Sequence, residues 1–422
     1  MQHGPQLQAV KNDVMVGMDL QSADYRRRRR CCHHLRETLM NTLKPRRHAR
    51  AIVSIISLCA LSSGATRYAP ARPNGARTRT YFIAADNVTW DYVPGGRDEV
   101  VGTPYADTAF FAKVKPRAVS TLYRKVLYRE YTDSTFRTLR PRSEAWQHLG
   151  FHGPLIRAVV GDTIRVVFRN NADRPYSVHP HGVLYDKSSE GVPYNDGTRG
   201  RDKADDGVPP HGTHTYVWPV PDRAGPGPMD GSSVMWMYHS HVEEARDINS
   251  GLLGVMIVTA RGMARPDGTP KDVDREIVTA FAQVHEDRSW LAAANLPPLD
   301  SLEHAGPIGN PSELDNPYPW FVKFTINGFL RGGMPLSALT VRRGQRVRWY
   351  VMASTNDFDG HSPHWHGNTV LIGGMRTDVT QVAFMQMVVA DMVPDNVGTW
   401  LYHCHVSFHN EAGMAVRYRV VP

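Results

Sequence analysis

The stretch His403-Cys404-His405-Val406-Ser407-Phe408-His409-Asn410-Glu411-Ala412-Gly413-Met414 sets a cysteine between two histidines. A third histidine follows the cysteine by five residues and a methionine by ten. On a β-strand, successive side chains point to opposite faces. His403 and His405 then point one way and Cys404 the other, so one strand feeds two separate sites. His361, from an earlier cluster, completes a set with Cys404, His409 and Met414. Two imidazoles, a thiolate and a weak thioether form a donor set for an electron-transfer copper.

Working outward, the other histidines fall into related clusters: His179-Pro-His181-Gly, Tyr238-His239-Ser-His241 and His361-Ser-Pro-His364-Trp-His366-Gly. Four His-x-His pairs result: His179 with His181, His239 with His241, His364 with His366, and His403 with His405. Eight imidazoles exceed the needs of one ion and suit a cluster of three coppers. Dioxygen needs four electrons to reach water, which a single copper cannot deliver together. Cys404, one peptide bond from His403 and from His405, joins the two centres, so these three are the candidate catalytic residues. One such pair alone reads as exposed strand histidines; four in this order, one enclosing a cysteine, do not. His148, His152, His211, His214, His285 and His304 lack the pattern and read as ordinary surface or core residues.

Around these clusters the chain reads as all-β. Short apolar runs (Thr80–Ala85, Ile164–Arg169, Thr213–Val220, Leu252–Val258, Glu276–Phe281, Val347–Met352, Met385–Ala390, Met414–Val421) alternate with Gly, Pro and Asp. That rhythm indicates β-sandwiches. Gly161-Asp162 and Gly344-Gln345 each precede an apolar strand, a His-x-His-Gly and a later His-x-His, an internal repeat of roughly 150 residues. Two tandem domains are expected, at 80–260 and 275–422, joined by Ala260–Asp274.

The net charge of +8 is misleading. Residues 1–66 hold 11 of the 49 basic and 4 of the 41 acidic side chains, leaving 38 and 37 elsewhere. The excess, including Arg26–Arg30, belongs to the N-terminal segment and not to a nucleic-acid-binding face. Lys44, Arg46, Arg47 and Arg50 precede an apolar run, Ala51 to Leu61, and then small residues. This is a secretory signal pattern, too short to span a bilayer. Residues 1–66 are read as an extension plus signal peptide, Met40 fits a true start, and a periplasmic or extracellular location follows. Cys31, Cys32 and Cys59 lie upstream of the expected cleavage. Cys404 is then the one thiol left, exposed to oxidation unless a metal holds it.

At these residues the chain resembles the multicopper oxidases. The similarity runs from residue 80 to the end and is nearest to the ceruloplasmin and hephaestin group with its A-type domains. The stretches that carry it include Tyr81-Phe-Ile-Ala-Ala-Asp86, Trp90-Asp-Tyr92, Tyr131-Thr-Asp-Ser-Thr-Phe-Arg137, Leu149-Gly-Phe-His-Gly-Pro154 and Ser250-Gly-Leu-Leu-Gly254. The resemblance implies two tandem cupredoxin-like Greek-key β-sandwiches. It implies one type 1 copper at His361, Cys404, His409 and Met414, one type 2 copper at His179 and His364, and two type 3 coppers at the other six histidines. Ser240 stands where a blue-copper cysteine would be, so the first domain is expected to lack a type 1 site. It further implies a homotrimer completing each cluster between subunits, and a calcium or sodium near Asp205 and Asp206, with Asp202 close by.

The expected partners are dioxygen and a small-molecule or metal-ion reductant, with no nucleic acid and no membrane span. Positions that bind iron in ferroxidases of the group fall on Pro319, Phe324 and Phe408, none able to hold a ferrous ion. Glu411, Asp357 or Asp359 are the substitutes within reach. Met352, Met375, Met385, Met387 and Met392 could bind Cu(I), although core packing explains them better. A laccase-like reaction with phenols or aromatic amines is the default. The rivals are a copper nitrite reductase, against which His405, His239 and His241 argue, and a non-catalytic copper-binding A-domain protein.

Overall fold

The computed structural model describes residues 75–105, 120–296, 322–354 and 360–422. The expected signal peptide, the other three cysteines, His304, Pro319, Asp357 and Asp359 lie outside them. No helix among the described residues is long and apolar enough to cross a membrane.

The first half contributes β1 (Thr78–Asp91), β2 (Arg97–Asp98), β3 (Thr103–Pro104), β4 (Leu122–Tyr131), β5 (Ile156–Val159), β6 (Thr163–Asn170), β7 (His179–Pro180), β8 (Thr213–Pro219), β9 (Ser233–His239) and β10 (Leu253–Thr259). The second contributes β11 (Arg275–His285), β12 (Val322–Ile326), β13 (Thr340–Arg342), β14 (Val347–Ala353), β15 (Pro363–Trp365), β16 (Val370–Ile372), β17 (Met375–Thr377), β18 (Met387–Met392), β19 (Gly398–Cys404) and β20 (Ala415–Val421). Two sheets, β4-β1-β6-β8 and β5-β10-β9-β7, make the first sandwich. The second repeats the plan with β12-β11-β14-β18, extended by β16-β17, and β13-β20-β19-β15. Even the sense of pairing repeats: β1 runs parallel to β6 as β11 runs parallel to β14.

The four large sheets stack in order, and the cores show why. Ile83, Val126 and Val166 meet Ala158, Met256 and Val258 inside the first sandwich. The alternate residues of β9 and β10, Met235, Met237, Val255 and Ile257, pack on Val278, Ala280, Tyr350 and Met352 of the next sheet. Ile277, Phe281, Trp349 and Val351, on that sheet's other face, meet Tyr402, Cys404, Val416 and Tyr418 of the last. The middle strands are thus covered on both faces. Every residue of β10 and of β14 is buried, so they read as unbroken apolar runs and not as alternation.

A buried polar chain crosses the junction of the sandwiches. Arg157 places Nη1 and Nη2 at 3.1 and 2.6 Å from the Glu276 carboxylate, and Tyr350 donates to the same group at 2.9 Å. Arg348 donates to Ser233 at 2.8 Å and to Asp391 at 2.6 and 2.8 Å. Breaking a buried pair strands a charge. Arg157→Met is therefore expected to destabilise the protein by about 3 kcal/mol, the low end for such pairs because Tyr350 still serves Glu276. The urea midpoint checks this; an unchanged midpoint would mean that the Glu276 site admits water.

Candidate metal centres

Strand β19 delivers Cys404 into the second core, where it is fully buried. The chain then turns through α1 (Ser407–Ala412), a short helix where the sequence reading expects only a turn. That turn of helix sets His409 back beneath the cysteine. Gly413, at φ 135°, ends it where a Cβ would meet the Leu330 side chain at 2.7 Å. Met414 then rejoins the sheet, its carbonyl accepting from Cys404 N at 3.1 Å, and its side chain is buried. His361 is held by paired backbone bonds with Val382 at 3.0 and 2.9 Å.

These elements converge. Cys404 Sγ lies 3.5 Å from His409 Nδ1 and 3.9 Å from His361 Nδ1. The three donor atoms all lie within 4.8 Å of one another, and all three residues are buried. Ser362 N donates to the sulfur at 3.3 Å, which favours a thiolate. Two imidazole nitrogens facing one sulfur fit a copper ion of the blue type, and Met414 is buried in the same core as Cys404.

The other histidines form two matching sets. Register pairs His179 with His239 across β7 and β9, and His364 with His403 across β15 and β19. His239 Nδ1 donates to the Ser240 carbonyl at 3.0 Å, and His403 Nδ1 to the Cys404 carbonyl at 2.8 Å. Each bond fixes a tautomer and leaves Nε2 as the ligating atom. His181 Nε2 lies 3.0 Å from His239 Nε2, as His366 Nε2 does from His403 Nε2. Such close nitrogens suit a shared proton or cation. His241 closes the first set by ring contact with His179 at 5.3 Å, and His405 the second by contact with His364 at 5.0 Å.

The glycine that follows His181 and the one that follows His366 have a physical reason. Gly182 and Gly367 sit at φ 77° and 74°, and a Cβ would meet the rings of Trp236 at 2.3 Å and Trp400 at 2.5 Å. Desolvation lowers His179, His181, His239, His364 and His403 below the ordinary histidine range and so favours the neutral, ligating form. Desolvation, helped by neighbouring histidines, brings His181 down to about 4. Desolvation also brings His403 to about 4 and pushes His239 well below its ordinary range. Among the described residues, no ring contact or hydrogen bond links the first set to the second. The first lies on the second sheet of the stack and the second on the fourth, with one whole sheet between them.

At Ser240 the equivalent of the cysteine site has become a hydrogen-bond cluster. Ser177 N donates to Ser240 Oγ at 3.1 Å, just as Ser362 N does to the sulfur. Ser240 in turn donates to Asp247 at 2.6 Å, and Trp290 donates to the same carboxylate at 2.9 Å. Tyr176 and Ala245 stand at the spacings of His361 and His409, so this place offers neither thiolate nor imidazoles.

Some neighbours escaped the sequence reading. Glu244 lies 3.4 Å from His241 and 4.0 Å from His239, and Asp378 lies 3.7 Å from His364. Gln283, a polar residue within the apolar strand β11, puts its side-chain amide 3.2 Å from His409 Nε2. That polar break in the run Ala280-Phe-Ala-Gln283-Val284 was a usable signal. Phe324 lies against the His409 ring at 5.1 Å and Phe408 against Phe324 at 5.1 Å. At the expected calcium or sodium position, Gly191 N donates to Asp205 at 2.7 Å and Lys203 pairs with Asp206 at 3.0 Å. Of the methionines, Met352 and Met392 are core residues, while Met375 is 74% exposed. Met385 precedes β18 at φ 53° and does not share a strand with Met387.

Comparison with known proteins agrees with this chemistry. Two family profiles described as Multicopper oxidase match residues 145–262 and 313–422. Ferroxidase HEPHL1 of Mus musculus is 39% identical over 354 residues, covering 82% of this chain and 29% of that protein. Hephaestin of Rattus norvegicus is 36% identical over 380 residues, covering 88% of this chain and 31% of that protein. This chain thus spans under a third of the length of these relatives. Among solved structures, the blue copper oxidase from Nitrosomonas europaea shares the fold with a TM-score of 0.51 at 17% identity, over 81% of this chain and 86% of that one. With its stacked cupredoxin-like sandwiches and its cysteine set among histidines, the chain belongs to the multicopper oxidase family.

Proposed function

We propose that the protein oxidises a reductant one electron at a time at the Cys404 centre and reduces dioxygen to water at the eight-histidine centre. The observation that carries this reading is the meeting of Cys404 Sγ with two imidazole Nδ1 atoms, while His403 on the same strand joins His364 and His366 in a second set. His361, Cys404, His409 and Met414 would hold one type 1 copper. His179 and His364 would hold one type 2 copper, and the other six histidines two type 3 coppers. Bound copper supplies the one-electron redox steps that no side chain here can supply.

The chain's own residues do the rest. Cys404 connects the centres covalently through its peptide bonds to His403 and His405, and its carbonyl also accepts a hydrogen bond from the His403 ring. The Nδ1 bonds of His239 and His403 hold both rings in the ligating tautomer. Forming water consumes four protons, and the carboxylates of Glu244 and Asp378 stand at the edges of the two sets to hold them.

Because a full sheet separates the sets within one chain, the eight-histidine centre is read as lying between subunits, in a closed three-fold ring with a heterologous interface. Leu184 and Tyr185 near the first set and Val379 near the second are exposed apolar residues suited to such contact.

The half-buried ring of Phe408 beside His409 favours an aromatic reductant, a phenol or aromatic amine. Ferrous iron is the second reading, favoured by the relative named ferroxidase HEPHL1. Steady-state oxygen uptake by the copper-loaded protein tests both, compared as kcat/KM. A hydroquinone is expected to exceed ferrous iron by roughly tenfold or more, one hydrogen bond's worth of discrimination. The opposite order would assign iron oxidation, and nitrite turnover without oxygen uptake would sink the oxidase reading.

A further inference from the structure

Gln283 is 3% exposed and lies on the face of β11 that also carries Phe281, which touches the His361 ring at 5.8 Å. Its amide nitrogen is 3.2 Å from Nε2 of His409, itself 2% exposed. The other ring nitrogen, Nδ1, faces Cys404 Sγ. That division of the ring has a chemical consequence. When Nδ1 gives its lone pair to a cation, Nε2 must carry the proton. The group opposite must then accept a hydrogen bond. In the arrangement seen, the amide nitrogen faces Nε2, which suits a ring protonated on Nδ1. An amide serves both states by turning over, because it carries a donor and an acceptor. A carboxylate serves only the loaded state, and an aliphatic side chain serves neither.

Resting on the reading of Cys404 as a copper ligand, we infer that Gln283 is a positioning residue for His409, setting the reduction potential of the Cys404 centre and disfavouring cationic reductants there. An acceptor at Nε2–H makes the imidazole a better donor and stabilises the oxidised ion. A neutral acceptor does so moderately, and a carboxylate would do so more strongly. Charge also acts on the reductant. Among the described residues, the uncharged Gln283 amide and the rings of Phe324 and Phe408 pack beside His409. A neutral amide adds no charge to the field a cationic reductant meets, whereas a carboxylate at the same place would attract it.

The test uses the full copper-loaded protein, with Gln283→Leu and Gln283→Glu beside the parent. The readout is a potentiometric titration of the blue band, which needs no turnover. The potential is expected to rise in Q283L and to fall in Q283E, with the blue band retained in both. In Q283E, kcat/KM for ferrous iron relative to hydroquinone is expected to rise roughly tenfold, from the attraction of one added negative charge near His409. Potentials unchanged in both variants, or shifted in the same direction, overturn the inference. Should Q283L fail to fold, the downward shift in Q283E decides alone. A parent protein with copper bound but no blue band would instead sink the underlying reading of Cys404, so the two failures are distinguishable.

Discussion

Cys404→Ser is expected to abolish the intense visible absorption of the copper-loaded protein and to lower steady-state oxygen uptake by more than about 100-fold. That exceeds the 10- to 100-fold typical of losing an outer partner of a metal ligand, because the ligand itself is lost. A serine hydroxyl stays protonated where a thiol ionises, so the short route between the centres loses its donor. The fold should tolerate the change. The first sandwich already carries Ser240 at the equivalent place, and the backbone N–H of Ser177 serves its hydroxyl at 3.1 Å as that of Ser362 serves the sulfur at 3.3 Å. Copper at the histidine sets should therefore be retained, and metal analysis separates loss of one centre from loss of all. A C404S protein that keeps its blue band and its turnover would remove Cys404 from the electron route.

Spacing made the Cys404 centre legible, because strand alternation and a fixed chain length leave His403, Cys404 and His409 few other arrangements. His361 was legible as the extra imidazole of its cluster, three residues ahead of the His364-Trp-His366 pair. The apolar runs marked β1, β6, β8, β10, β11, β14, β18 and β20. Strands β4 and β12 were harder, since each carries a lysine inward, Lys125 and Lys323, both nearly inaccessible. Lys125 is stabilised there by Glu286 at 2.6 Å, a partner 161 residues away that no local pattern announces. Glu244, Asp378 and Gln283 were missed for the same reason. Their meaning depends on which histidine they face, and that is fixed by packing between strands distant in sequence.

The arrangement of the two histidine sets leads to the second large effect. His239 lies on the second sheet of the stack and His366 beside the fourth, and stacked sheets stand about 10 Å apart. One chain therefore holds the sets roughly 20 Å from each other, far beyond the reach of a shared dioxygen. Two variants, His239→Ala and His366→Ala, should each be inactive, because each damages one set in every subunit. Co-expressed, they should regain activity. The proposed closed ring would pair the first set of one subunit with the second set of its neighbour. Random assortment places an intact first set beside an intact second set at about one interface in four, so about a quarter of parental activity is expected. The active junction also carries an undamaged Cys404 centre, since that lies on the subunit supplying the second set. Mixed oligomers, verified by mass, with no more activity than either variant alone would show that each chain builds its cluster from its own residues. Full activity in an isolated monomer would show the same, and the stacking order of the sheets would then have to change on copper binding.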